Sequence, residues 1–325
     1  MTLQLAVRSY VHSLSRPLRT AAGVWQQRTG WLLRLTCADS GRVGWGEVAP
    51  LDATDRLACE RALSRWQNAA DATCTRDQLE VLLPMLPAAV AFALGASLAE
   101  LDGLVQSWLP APRSACLLPA GKAMLPILEQ LLAAHPLDEP ITFKWKVAAT
   151  DPDLEWSLLA ELLERLPCSA RLRLDANGGW ERSEADRWAG VLAADPRLDW
   201  LEQPLAVDDL QGLQALGHRV PVALDESLLR QPALREQWQG WQVRRPLLEG
   251  DPRTLLRQLQ QGRPRLMLST VFETGIGFRW LALMAGLQQL GPTPVAPGLA
   301  PGWCSGGHLF SSDPSQVWAA AEAVC

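Results

Sequence analysis

From about residue 115 the chain keeps one rhythm almost to its end. A short β-like run is followed by a helical stretch, and the pair repeats at roughly 20–30-residue spacing. The runs fall at 115–120, 141–148, 171–177, 198–204, 220–226, 241–246, 265–272 and 294–299, with helical patterns such as 153–166, 181–194, 254–261 and 278–290 between them. Eight strands alternating with helices specify a parallel sheet closed on itself, a (β/α)8 TIM barrel of the α/β class. A doubly wound dinucleotide fold is the competing arrangement, but no G-x-G-x-x-G follows a strand and opens a helix here.

Residues 1–112 read as a separate α+β unit. An alternating segment near 3–12 leads, two β-rich runs (31–37 and 43–48) flank the turn Asp39-Ser40-Gly41, and helices are expected from about 55 to 106. The uncharged stretch 81–99 is interrupted by Pro84 and Pro87, which leaves too few apolar residues to span a bilayer and predicts a packed core helix instead. Leu109-Pro110-Ala111-Pro112 marks the boundary, the barrel is expected over 113–303, and the tail 304–325 is expected to pack back on the first unit. A net charge of −5 offers no basic field for nucleic acid or an anionic membrane. Seven cysteines without C-x-x-C spacing read as reduced thiols, and the first eight residues lack the apolar core of a signal peptide, so a cytoplasmic location is expected. The oligomeric state has no signature in the chain.

In a barrel, catalytic groups gather at the C-terminal ends of the strands. The second run ends in Lys144-Trp-Lys146, the third in Arg173-Leu-Asp175-Ala-Asn177, the fourth in Glu202-Gln-Pro204, the fifth in Asp225-Glu226, the sixth in Arg244-Arg245-Pro246, and the seventh in Ser269-Thr270. Period-two geometry puts Lys144 with Lys146 on one face, and Arg173, Asp175 and Asn177 on one face. Taken singly, such residues are common as solvated strand ends or helix caps. Together, Asp175, Glu202 and Asp225 present three hard oxygen donors from neighbouring strands, a set suited to Mg²⁺, with Mn²⁺ as a substitute.

The lysines carry a second signal. Only three occur, against 27 arginines, and two stand one residue apart; random placement would give such a pair about one time in fifty. Arginine fills surface roles as well as lysine does, but it cannot give up a proton and act as a base. Phe143, Trp145 and Val147 are expected to face the helix layer, which turns Lys144 and Lys146 into the barrel.

Lys144-x-Lys146, Asp175-x-Asn177, Glu202-Gln-Pro204 and Asp225-Glu226, in this order, resemble the enolase superfamily in its muconate-lactonising subgroup. Arg16-Pro17-Leu18, Gly44-Trp45-Gly46-Glu47 and Pro50-Leu51 resemble that superfamily's capping domain. Arg173 to Asn177 and Ser269 to Gly277 look most like the branch that aromatises a succinyl-hydroxycyclohexadiene carboxylate by loss of water. The resemblance implies Mg²⁺ on Asp175, Glu202 and Asp225, a small carboxylate substrate, and Lys146 as the base that takes the proton alpha to the carboxylate. Lys144 supports it, and Glu226 lies behind the ligands. Arg173, Asn177, Ser269 and Thr270 are candidates for substrate binding, and the loop 16–24 with Arg28 for closing over the site.

The chain departs from the resemblance at Arg245, where relatives carry a lysine before the proline. A guanidinium is a poor base. The change therefore speaks for elimination run by Lys146 alone, and against a racemase or epimerase that needs a base on each face. Cycloisomerisation or dipeptide epimerisation on the same scaffold, and a barrel that binds a metal or ligand without turnover, are the alternatives.

Overall fold

The computed structural model describes residues 2–20, 23–67, 72–136 and 139–323. The first unit is an antiparallel sheet of β1 (Thr2–Thr20), β2 (Gly23–Cys37), β3 (Val43–Val48) and β4 (Ala72–Thr75), ordered β4 and β2 on β1, with β3 beyond β2. The β1–β2 register slips between Ser13 and Leu18; Pro17 lies in that gap and has no N–H to give to the ladder. Packed on the sheet are α1 (Ala53–Gln67), α2 (Arg76–Leu82) and α3 (Ala88–Leu101). As expected from its prolines, the apolar stretch is broken by a single tight turn at Leu83–Met85, and α3 starts directly after Pro87. Twelve of its 14 residues are buried, because it lies between the sheet and the barrel.

The barrel unit carries seven parallel strands in sequential order: β5 (Cys116–Leu118), β6 (Thr142–Lys146), β7 (Arg171–Asp175), β8 (Leu198–Glu202), β9 (Val222–Leu224), β10 (Trp241–Arg244) and β11 (Leu266–Leu268). Between and after them run α4 (Met124–Ala134), α5 (Pro152–Arg165), α6 (Arg182–Leu192), α7 (Leu210–Gly217), α8 (Glu226–Arg230), α9 (Leu234–Gln237), α10 (Pro252–Gln260) and α11 (Gly275–Gln289). The eighth run, 294–299, is not a strand. Pro294 and Pro297 remove two ladder donors, and the ring closes through a single bridge. Gly298 pairs with Ser269, and Ala115 N donates to Pro297 O at 2.9 Å. After α12 (Pro314–Ala320), β12 (Glu322–Ala323) pairs antiparallel with β1 at Arg8 and Ser9.

The alternation read from sequence sets the inside and outside of the barrel. Phe143, Trp145 and Val147 are at most 1% exposed and pack with Leu158, Leu162 and Trp188 of the helix layer. Trp200, Ala223, Val243 and Met267 form a separate apolar plug, inside the ring by the same alternation. Above this plug β6, β7, β8 and β10 end in Lys146, Asp175, Glu202 and Arg244, and Asp225 and Ser269 directly follow β9 and β11.

Candidate active site

The register Lys146↔Asp175↔Glu202 places the base candidate and two carboxylates level on adjacent strands. Asp225 follows β9 directly, with Arg245 just past the end of β10. Lys144 Nζ lies 2.8 Å from Asp175 Oδ2 and 2.6 Å from Glu202 Oε1. Burial works against its charge, yet the carboxylates Asp175, Glu202 and Asp225 outweigh it and hold the ammonium above its ordinary range. Arg245 forks onto Asp225, Nε to Oδ1 at 2.9 Å and Nη2 to Oδ2, while Nη1 donates to Thr270 O at 2.7 Å. Burial would raise the Asp225 carboxyl, and Arg245 brings it below the usual range instead. The Lys146 side chain makes no ion pair or hydrogen bond among the described residues.

Negative charge exceeds what these cations balance. The Glu202 carboxyl is pushed up to about 7, by burial first and by Asp175 and Asp225 against the pull of Lys144. Glu226 is pushed up to about 7 by burial and then by Asp225 and Asp175. Asn177 Nδ2 donates to Glu226 Oε1 at 3.0 Å, whereas Glu226 Oε2 and Asn177 Oδ1 are buried without a partner among the described residues. Also among the described residues, no three carboxylate, imidazole or thiol groups are drawn together as a finished metal cage. The donors are instead divided between two cations, with Lys144 on Asp175 and Glu202 and Arg245 on Asp225. Three buried carboxylates on neighbouring strand ends, with Asp175 and Asp225 both acting on Glu202, remain a hard-oxygen donor set that a divalent cation fits.

Several substrate-binding candidates are placed differently from the sequence expectation. Arg173 is wholly buried one layer below Asp175; Nε donates to Asp199 Oδ2 at 2.9 Å, Nη1 donates to Ala296 O at 2.7 Å, and the guanidinium lies 4.0 Å from the Trp200 ring centre. It braces the barrel interior below the strand ends. The Thr270 hydroxyl is engaged within its own loop, donating to Glu273 Oε2 and accepting from Phe272 N. Ser269 Oγ has only a 3.5 Å contact to Gly298 O and keeps its hydroxyl for another partner. Arg28 does not reach over the site. It is 4% exposed and donates to the carbonyls of Val271 (3.1 Å), Ala49 (3.2 Å) and Pro50 (2.9 Å). Part of the 16–24 loop, residues 21 and 22, lies outside the described residues.

Sequence reasoning missed the groups that fix the strand ends. Gln203 is wholly buried; its Oε1 accepts from the Asp225 and Ser227 amides, and its Nε2 donates to Ser227 Oγ and Leu205 O. Its place between Glu202 and Pro204 was the only available hint. Glu155 gathers three amides of the turn after β6, and no spacing rule points to it.

A family model described as enolase C-terminal domain-like matches residues 137–238. The chain is 36% identical over 283 residues to an o-succinylbenzoate synthase of Thermosynechococcus vestitus, covering 83% of this chain and 84% of that one. A crystal structure of o-succinylbenzoate synthase from Thermosynechococcus elongatus, complexed with magnesium in the active site, superposes with a TM-score of 0.77 at 31% identity, over 97% of this chain and 99% of that one. The L-Ala-D/L-Glu epimerase of Bacillus subtilis shares the fold, with a TM-score of 0.71 at 22% identity over 94% and 91% of the two chains.

Proposed function

The chain belongs to the o-succinylbenzoate synthases of the enolase superfamily, and we propose that its strand-end cluster performs their dehydration with Lys146 as the single base. The reaction converts 2-succinyl-6-hydroxy-2,4-cyclohexadiene-1-carboxylate to 2-succinylbenzoate, a step toward menaquinone and phylloquinone. The observation that carries the residue assignment is the level register of Lys146, Asp175 and Glu202, with Lys146 alone left unpaired.

Asp175, Glu202 and Asp225 would hold Mg²⁺, or Mn²⁺ in its place, which when bound supplies a fixed positive charge facing the substrate carboxylate. Lys146, whose side chain is left unpaired, takes the proton alpha to that carboxylate. As an ammonium it then returns a proton to the departing hydroxyl on the same face, which closes a syn elimination of water. Lys144 bridges Asp175 and Glu202 and sets their orientation. Arg245 fixes Asp225 and presents a permanent cation opposite Lys146. Asn177 orients Glu226, and Ser269 offers a hydroxyl to the substrate. Epimerisation would need a second base where Arg245 is held by two bonds to Asp225, so the geometry favours dehydration. Residues 1–112 serve as the capping domain and 113–303 as the catalytic barrel, with 304–325 returning to the capping domain. The setting is cytoplasmic, in keeping with six described cysteines that are all free.

Ultraviolet detection of the aromatic product tests the reading. The purified chain with Mg²⁺ should form it, chelator should stop it, and Lys146→Ala should lower the rate by roughly 10²–10⁴-fold. Full activity in Lys146→Ala, or rapid loss of chirality at an alpha carbon, would overturn the assignment.

A further inference from the structure

Lys146 is the last residue of β6, and its side chain of four methylenes is unpaired. Its aim therefore depends on the backbone that carries it. On one side that backbone is held by the ladder, since Val147 N donates to Asp175 O at 2.9 Å. On the other side the chain turns sharply at Ala148, whose φ of 54° lies in the left-handed region, a strained conformation for a residue with a Cβ. A turn of that kind persists only where its surroundings enforce it.

Glu155 supplies the enforcement. It stands in the first turn of α5, is 2% exposed, and points back at the turn. Oε2 accepts from Ala148 N at 2.8 Å. Oε1 accepts from Ala149 N at 3.0 Å, from Thr150 N at 3.0 Å and from Thr150 Oγ1 at 3.1 Å. Three successive amides converging on one carboxylate form an anion-binding concavity filled from within the chain. The turn is also packed from both sides. A Cβ at Gly179, in the loop after β7, would come within 2.9 Å of Ala148 Cβ, and one at Gly121 within 3.3 Å of Thr150 Cγ2. Ala149 and Thr150 are themselves exposed, so without Glu155 the turn loses its central support.

We propose that Glu155 is a positioning residue for the base: by closing the 148–150 turn it fixes the peptide that carries Lys146 and so sets where Nζ meets the substrate. The inference rests on the reading of Lys146 as the base. Glu155 touches neither the carboxylate cluster nor the substrate space, so its loss is a matter of geometry. Misplacing a reacting group by about 1 Å lowers the rate by up to ~10²-fold while leaving substrate binding nearly intact.

The scarcity of lysine makes this directly measurable. With ¹⁵N-lysine labelling the protein gives only three lysine backbone amides, from Lys122, Lys144 and Lys146. In Glu155→Gln, which puts an amide donor against the turn's own donors, kcat should fall about tenfold or more with KM within about twofold. The Lys146 amide should shift, the Lys122 amide should stay in place, and the Mg²⁺ affinity measured by tryptophan fluorescence should be unchanged. Thr150→Val, which removes only the hydroxyl bond and folds without a buried mismatch, should give a smaller fall in kcat of about two- to fivefold on the same pattern. Unchanged kcat in both variants, or an unmoved Lys146 amide, would overturn the proposal even if the melting temperature drops. Lys146→Ala separates the two claims. If it keeps full activity the base assignment fails whatever Glu155 does, and if it is dead while Glu155→Gln is fully active, only the positioning role fails.

Discussion

Replacing Lys144 by Met should cost far more without metal than with it. The ammonium is the shared partner of Asp175 and Glu202, and removing one member of a buried ion pair typically costs about 3–5 kcal/mol because the remaining charge is stranded. A divalent cation on the same carboxylates restores the balance. Thermal melts should therefore show a larger Mg²⁺-induced rise for Lys144→Met than for the parent chain; an equal rise would mean that lysine and metal do not share these carboxylates. Glu273 makes a second prediction of this kind. Burial, then the charge of Glu47, pushes its carboxyl up to about 7 against its hydrogen bonds from Thr270 and Val271. The folded pKa lies above the unfolded one, so this group's contribution to stability is complete below about pH 4.3 and is lost as pH rises through about 7. Unfolding free energies from denaturant titration at about pH 6 and about pH 8 should differ by roughly 1 kcal/mol more in the parent than in Glu273→Gln. The same pH response in both would remove Glu273 as the cause.

At the scale of elements, the closest approach in the first unit is helix on strand. A Cβ at Gly44 would stand 2.0 Å from Ser97 O, and one at Gly46 would stand 2.0 Å from Ala93 O. The two glycines of β3 thus let the alanine-rich α3 lie directly on the strand backbone. Gly46→Ala should destabilise by at least about 3 kcal/mol in urea titration, since the obstacle is backbone on both sides and cannot rotate away. Sequence patterning read these elements well. Period two put Phe143, Trp145 and Val147 outside and the lysines inside, and Pro84 and Pro87 placed the start of α3. It failed where backbone chemistry decides. The 294–299 run has the apolar content of a strand but lacks the amides to pair as one. Glu155, Gln203 and Arg28 bind backbone groups, and such partners leave no residue-type signature at a distance in sequence. The strand-end cluster was legible because six strands each contribute a chemically distinctive side chain. That Lys144 and Arg245 would divide the carboxylates between them was not legible, because both lysine and arginine can face either the substrate or a neighbour.

At the scale of the whole molecule, the capping unit and the barrel share structural material and do not merely touch. Val90, Ala93 and Leu94 of α3 belong to the sheet core, whereas Phe92, Ala96 and Ala99 on its other side pack with Leu255, Trp280 and Leu281 of the barrel helices. A helix that belongs to two cores cannot be lost from one alone. Calorimetry should therefore show one transition for the chain, with matching calorimetric and van't Hoff enthalpies. Polar contacts add to this where they serve the site. Glu47, fully buried, accepts from Tyr10 Oη (2.7 Å), Thr274 N (2.8 Å), Thr274 Oγ1 (2.6 Å) and Gly277 N (2.8 Å), so a capping-unit carboxylate closes the N-terminal turn of α11. His12 Nε2 and the Phe272 carbonyl lie 3.2 Å apart, and Arg28 holds Val271, so the loop after β11 is fastened from the other unit as well as by Arg245 of the barrel. Glu47→Ala leaves those donors buried and unpaired, at a cost of about 3 kcal/mol or more. The apolar interlock through α3 is untouched, so the melt should stay single while its midpoint falls. Amide exchange should quicken over 270–277 and not over β6. A melt that splits in two would show that Glu47, and not the two-sided burial of α3, couples the units.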